Sequence, residues 1–416
     1  MDQVVQSYVG GRQFMGSVLV AHGNEILLNK GYGFANLEWN IPNSPQTKYR
    51  LGSMTKQFTA ACILLLEERG KLKTDDPIAK YMPDAPAAWR KITFFHLLTH
   101  TSGIPNFTSF PEYKSLEPFA STPEKLVARF RDKPLEFPPG EKFSYSNSGY
   151  VLLGHLIEKI SGDPYARFVQ ENIFTPLDMK DSGYDSNLAI IPHRASGYDA
   201  GPQNAGFIDM SIPFSAGALY STTDDLLRWE RALFGGKVLS EAALKKMITP
   251  FRENYAFGLV VAEEKGRTVI QHGGGIEGFN TSMLYYPGDK LAVVVLGNLT
   301  GGAPDAIAHS LAALAHGERV TLPSERKEIA LPEAILKQYV GVYELAPGVD
   351  ITMSLQGNQL MTQRNGQPIF PLFAETETKF FLKVVDAQVE FFRDASGKVT
   401  HIVLHQAGMD HKAVRK

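Results

Sequence analysis

A chain of 416 residues, 44% hydrophobic and 21% charged, is long enough to bury a large core and to hold more than one domain. A formal net charge of −2 without any block of basic residues argues against nucleic acid or an anionic membrane as the main partner, and leaves a small molecule. The single cysteine, Cys62, excludes an intrachain disulfide and a cysteine-based metal cluster; it reads as a small apolar core residue. The polar, helix-like start at Met1-Asp2-Gln3 leads us to expect no signal peptide or transmembrane stretch in this sequence. The protein is therefore expected to be periplasmic or secreted if a signal peptide has been removed, and otherwise cytoplasmic.

Gly16 to His22 and Glu25 to Lys30 are apolar-rich runs separated by Gly23-Asn24, a two-residue hairpin signature. Asn43-Ser44-Pro45 interrupts, and Lys48 to Leu51 leads to Gly52-Ser53-Met54-Thr55-Lys56. Thr55 to Glu68 has no Pro or Gly, is apolar all round in its middle, and meets a stop at Gly70, which predicts a buried helix. Ser53 falls at the start of that helix, where free N–H groups favour a developing negative charge, and Lys56 follows at i+3. An amine in a partly apolar pocket loses its proton more easily and can activate a serine hydroxyl. A Ser-x-x-Lys match arises about once by chance in a chain of this size. Ser324-Glu325-Arg326-Lys327 is such a match, set in a charged run without a helix core.

From Leu72 to about Phe214, short helices and turns punctuated by prolines predict a helical subdomain inserted between strands, with Pro123 to Arg131, Ser148 to Ile160 and Tyr165 to Glu171 as helices. Within it, Tyr145-x-Asn147 is a spacing that no other tyrosine shares. A phenol there can shuttle a proton, and the amide can orient a substrate carbonyl and hold Lys56; the bland alternative is a buried tyrosine and a helix-capping Asn. His96 and His100 stand at i and i+4 on a predicted helix, the spacing of a zinc pair, but no acidic residue lies between them. No metal or other cofactor is expected. Thr223 to Phe234 and Glu241 to Ile248 continue the helical content.

Strand patterns return at Ala256 to Ala262, Thr268 to Gln271, Thr281 to Tyr286 and Leu291 to Leu296, an antiparallel meander expected to share a sheet with the N-terminal hairpin. Gln271-His272-Gly273-Gly274-Gly275 ends one of them. Its glycines let a substrate lie against backbone, and a free N–H there can complete an oxyanion hole with the Ser53 N–H; a lone glycine run is more often a bulge or turn. Asp305 to His316 predicts a closing helix and 318–330 a linker. Short alternating segments from Leu331 to Lys416, among them Ile351 to Leu355, Lys379 to Val384, Gln388 to Phe392 and Val399 to Leu404, predict a small all-β, barrel-like domain of about eight strands.

Ser53-x-x-Lys56, Tyr145-x-Asn147 and His272-Gly273-Gly274, in that order, resemble the motif set of the serine β-lactamase and penicillin-binding-protein superfamily, most of all its class C-like branch of esterases and D-amino-acid-specific peptidases. Leu97-Leu98-Thr99-His100-Thr101-Ser102-Gly103 and Phe137-x-Pro139-Gly140 are similar to segments that flank the site in that family. The resemblance covers about residues 10 to 316, and the C-terminal region is similar to the lipocalin-like domains that some of these hydrolases carry. It implies an α+β fold: an antiparallel sheet flanked by helices, with a helical insertion.

The implied roles are Ser53 as acylated nucleophile, Lys56 and Tyr145 as the proton-transfer pair with either one the base, and Asn147, His272, Gly273 and Gly274 as substrate contacts. The N–H groups of Ser53 and Gly275 would form the oxyanion hole. The implied activity is hydrolysis of small esters or D-amino-acid amides and peptides. Alternatives are a D-Ala-D-Ala carboxypeptidase or weak β-lactamase, and a slowly acylating, non-catalytic penicillin-binding sensor or scaffold. His272 departs from the Lys of the lactamase motif, which puts efficient β-lactam hydrolysis in doubt. An ordinary histidine titrates near ~6.5, so His272 is expected to gain a charge below that pH and then to favour carboxylate-bearing substrates.

Overall fold

A computed structural model describes residues 1–321, 325–346, 348–383, 387–406 and 409–416. Its chain divides into two compact units, Arg12–Pro304 and Met1–Gly11 with Asp305–Lys416. No helix among the described residues is long and apolar enough to cross a membrane.

The first unit is built on a six-stranded antiparallel sheet. Its strands are β1 (Gly16–His22), β2 (Glu25–Tyr32), β3 (Val260–Glu264), β4 (Arg267–Ile276), β5 (Phe279–Tyr286) and β6 (Leu291–Gly297), in the spatial order β3-β4-β5-β6-β1-β2. The N-terminal hairpin joins the later meander through β1 and β6, with Val18 opposite Val295 and Leu19 opposite Val294. Both of these central strands are largely apolar because they are buried on both faces; the exceptions are His22 at the end of β1 and Ser17, whose buried hydroxyl bonds to the Ser44 carbonyl and the Tyr49 hydroxyl.

Most strand boundaries of this sheet fall within two residues of the sequence expectation, and two differ by more. β3 begins at Val260 and not at Ala256, because Gly258 sits at φ +70°, and a Cβ there would lie 2.7 Å from the Lys56 carbonyl oxygen. The chain turns against the helix start there before it can pair. β4 does not stop at Gln271 but runs to Ile276, with Gly273, Gly274 and Gly275 opposite Ser282, Thr281 and Asn280. Pairing with β5 outweighs the weak strand preference of glycine.

Helix α1 (Thr55–Glu68) is entered through a 3₁₀ turn at Gly52–Met54. Phe58, Ala60, Ala61, Cys62, Ile63 and Leu64 along it are fully buried, and each large apolar side chain so placed stabilises by about 1.5–3 kcal/mol. The helix closes on Gly70 at φ +68°, where the Gly70 and Lys71 N–H groups donate to the Glu67 and Leu66 carbonyls, each at 2.9 Å.

The helical insertion contains Pro123–Arg131 and α2 (Asn147–Ser161); the expected helix from Tyr165 ends at Val169 and continues as a π-helical turn over Gln170–Phe174. α3 (Thr223–Phe234) packs on β1 and β6. The zinc-like spacing of His96 and His100 dissolves here. Their helix is only Phe94–Leu98, and His100 lies beyond it at φ +55°, so the two rings do not share a helix face. His96 Nδ1 serves the capping box of Thr93 at 3.2 Å, and His100 is used elsewhere.

In the second unit, strands Gly341–Ala346, Val349–Gln356, Gln359–Arg364, Phe370–Ala374, Lys379–Phe381, Ala387–Arg393, Val399–Gln406 and Met409–Arg415 form a closed barrel. Closure comes from Tyr343 pairing with Arg415 and Glu344 with Val414. Side chains fill the interior: Tyr339 stacks on Phe391 at 4.1 Å between ring centres, among Ile351, Met353, Leu372, Phe380 and Ile402. Val384, at the end of an expected strand, and Ser324, of the second Ser-x-x-Lys match, lie outside the described residues.

Candidate active site

Gly52 adopts φ +54°, a left-handed conformation open to glycine, and so turns the chain abruptly from Leu51 into the helix. This presents Ser53, half-buried, at the start of α1. One turn later Lys56 has no exposed surface. Its Nζ donates to Ser53 Oγ at 3.0 Å, to Asn147 Oδ1 at 2.9 Å and to the Ala216 carbonyl at 2.8 Å. All three partners are uncharged. Burial without a compensating carboxylate drives the Lys56 pKa well below the usual lysine value.

Asn147 opens α2, and its backbone N–H donates to Asn106 Oδ1 at 3.0 Å while its Nδ2 donates to Thr108 Oγ1 at 3.2 Å. These bonds orient the amide so that its oxygen faces Lys56. Tyr145 precedes it by two residues, with Lys56 Nζ 5.0 Å from its ring centre. Burial raises the Tyr145 pKa strongly, and a hydrogen bond with the Ser53 hydroxyl opposes that shift without cancelling it. The phenol is therefore protonated at neutral pH.

β4 supplies the facing wall. β3 pairs with it only as far as Gln271, so the stretch beyond has an edge free of β3, and the turn at Gly52 packs against β4. A Cβ on Gly274 would lie 1.9 Å from the Leu51 carbonyl oxygen, and one on Gly52 would lie 2.9 Å from Gly275 N. These glycines are what allow the Ser53 turn and the strand backbone to touch. Thr281 Oγ1 donates to the Leu51 carbonyl at 3.0 Å and locks the same junction.

His272 does not behave as the sequence led us to expect. It is 8% exposed, and burial, with Lys56 adding to the effect, lowers its pKa to about 4. Its Nδ1 donates to the Gly273 carbonyl at 2.5 Å, and its Nε2 accepts from the Tyr255 hydroxyl at 3.1 Å. A carbonyl can only accept, so Nδ1 carries the proton of a neutral ring. The expected charge switch near pH 6.5 is thus absent. His272, Gly273 and Gly274 do not line the cleft itself.

That cleft has a volume of about 200 Å³ and is bounded by Gly52, Ser53, Thr108, Asn147, Gly275 and Glu277, among others. A larger groove of about 470 Å³ lies around Glu67, Lys71 and Lys246 at the far end of α1 and contains none of the motif residues. Three residues of the site were not assigned to it from the sequence. His100 packs on Tyr145 at 4.2 Å between ring centres and accepts from the Ser146 N–H at 3.1 Å; its position in a family-like segment was the available signal. Tyr255, 4.6 Å from the His100 ring, carried no signal at all. Glu277 follows the glycine run by two residues, at the β4–β5 turn.

A family model described as Beta-lactamase matches residues 1–318, and one described as Domain of unknown function (DUF3471) matches 325–415. Penicillin-binding protein 4* of Bacillus subtilis is 31% identical over 435 residues, covering 97% of this chain and 95% of that protein. The structure of an octameric penicillin-binding protein homologue from Pyrococcus abyssi superposes with a TM-score of 0.70 at 27% identity, over 100% of this chain and 98% of that one. D-amino acid amidase from Ochrobactrum anthropi superposes with a TM-score of 0.66 at 26% identity, over 76% and 99%. The chain belongs to the beta-lactamase family and is a serine hydrolase of that α+β fold, followed by an eight-stranded β-barrel.

Proposed function

We propose that Ser53 is the nucleophile of a hydrolase that works through an acyl-enzyme on small esters or on amides and peptides of D-amino acids. The observation that carries this reading is the Lys56 Nζ to Ser53 Oγ contact of 3.0 Å in a pocket that gives the lysine no counter-charge. In its neutral form the amine keeps its two N–H bonds on Asn147 Oδ1 and the Ala216 carbonyl, turns its lone pair to Ser53 Oγ and takes the serine proton as Oγ attacks the carbonyl carbon. The N–H groups of Ser53 and Gly275 hold the tetrahedral oxyanion, and its collapse expels an alkoxide or amine that receives a proton through Tyr145. Water then attacks the acyl carbon by the same route in reverse. The raised Tyr145 pKa keeps the phenol protonated, so that it relays to the leaving group the proton that Lys56 took from Ser53, and the lowered Lys56 pKa suits the base.

Support for the substrate class comes from the amidase superposition over 76% of this chain. The match to Penicillin-binding protein 4* over nearly the whole length favours a second reading, a carboxypeptidase or weak β-lactamase acting through the same serine. We also place the hydrolase domain at 1–317 and the barrel domain at 331–416, with a linker between them. Ser53→Ala should reduce hydrolysis of a neutral p-nitrophenyl ester at least about 10³-fold. Mass spectrometry of the wild type after a slow substrate should place the added acyl mass on the Ser53 peptide. An adduct on another residue, or an active Ser53→Ala enzyme, would refute the assignment, whereas a burst without steady turnover would indicate a slowly acylating sensor.

A further inference from the structure

Charge is distributed one-sidedly around the cleft. Among the residues that line it, Glu277 is the only one with a full charge, and none is basic. Lys56, the nearest amine, faces away from a charge-recognition role: its three bonds go to Ser53, Asn147 and the Ala216 carbonyl. Glu277 is partly buried, with 18% of its side chain exposed, and its carboxylate is held by Lys114 at 3.3 Å. Lys114 is itself 75% exposed and makes its shorter bond, 2.8 Å, to Glu117. Two carboxylates thus share one solvated ammonium; burial and the neighbouring Glu277 push Glu117 above the usual carboxylate range against the pull of Lys114, and with both groups ionised the excess is one negative charge beside the serine cleft. His272, neutral at working pH, does not offset it.

A carboxylate-bearing substrate entering this cleft meets Glu277 and finds no cation on the wall, because Lys114 is shared between Glu277 and Glu117 and Lys56 is engaged by Ser53, Asn147 and Ala216, while a substrate carrying a primary ammonium meets a carboxylate only partly offset by Lys114. We propose that Glu277 is a specificity-determining residue that selects substrates with a free primary ammonium, such as unblocked amino-acid esters and amides. This rests on the hydrolase reading above and narrows it. Glu277 is carried on the tight β4–β5 turn, two residues after Gly275, and takes no part in the hydrogen bonds of Lys56 to Ser53, Asn147 and Ala216. Its expected effect is on recognition and not on chemistry.

The test compares three alanine methyl esters, unblocked, N-acetylated and N-succinylated, as the D and L enantiomers, at a pH where the amine is protonated. In the wild type, kcat/KM should fall in the order unblocked, acetyl, succinyl. Glu277→Gln should reduce the ratio of unblocked to acetyl by about tenfold, the scale of one charge-assisted contact at a partly exposed site, and Glu277→Lys should turn the preference toward the succinyl ester. Ratios taken within each enzyme remove differences in the folded fraction. A ratio in Glu277→Gln within about twofold of the wild type, or a Glu277→Lys enzyme that still prefers the ammonium, overturns the inference. Failure of the hydrolase reading shows differently, as a wild-type enzyme that cleaves none of the esters and leaves Ser53 unacylated.

Discussion

His272 shows how far burial moves a single residue from its textual meaning. In water its ring would gain a proton near ~6.5; enclosed between Tyr255 and the Gly273 carbonyl it does so near 4. The folded protein therefore binds fewer protons than the unfolded chain between these two values. Stability contributed by the neutral ring is complete above the unfolded value and is lost as pH falls through the window. Between pH 7.5 and 4.5 the loss is at most about 2.5 kcal/mol. Denaturant titrations at both pH values should show the wild type losing about that much more than His272→Gln, and equal losses would mean that the ring is not held neutral. For the same reason the ratio of kcat/KM for a carboxylate-bearing to a neutral substrate should stay flat from about pH 5.5 to 7.5.

At the scale of elements, the site depends on how closely β4 approaches the turn at Gly52. Gly274 carries the tightest restriction, because its added Cβ would meet a backbone oxygen, Leu51 O, at 1.9 Å, which cannot rotate aside as a side chain would. Gly274→Ala should push Leu51 and Gly52 away from the strand and carry Ser53 with them. We expect kcat/KM to fall at least about 100-fold and stability by about 2–3 kcal/mol. Gly288→Ala, at a turn with no atom within 4 Å of the added carbon, should leave both unchanged. If Gly274→Ala keeps full activity in a kinetic assay, the close contact between strand and turn is not what positions the serine.

For the whole molecule, every residue that bounds the Ser53 cleft lies between Gly52 and Glu277, within the Arg12–Pro304 unit. The barrel has its own filled core, centred on Tyr339, Tyr343, Phe380 and Phe391. A chain ending after Glu318 should therefore still be acylated at Ser53 by a small neutral ester, at a rate within about tenfold of the full-length protein. Labelling followed by intact-mass measurement checks this. A folded truncation that cannot be acylated would give the barrel a part in the chemistry.

Much of this arrangement was legible in the linear chain because it is local. The helix Thr55–Glu68, the Ser53–Lys56 spacing, the Gly23-Asn24 hairpin and the alternating C-terminal strands rest on periodicity and turn chemistry that operate within a few residues. What the sequence could not determine depended on neighbours distant along the chain. The extension of β4 through three glycines came from pairing with β5, and the delayed start of β3 came from Gly258 meeting the Lys56 backbone. His96 and His100 parted because one residue took a left-handed turn. The protonation of Lys56, Tyr145 and His272, and the standing of Glu277 as the one charged residue on the cleft wall, were decided by tertiary structure alone. A pKa and a local potential are sums over surrounding atoms, and many of those atoms come from distant parts of the chain, as Asn147 and Ala216 supply them to Lys56 and Lys114 supplies them to Glu277.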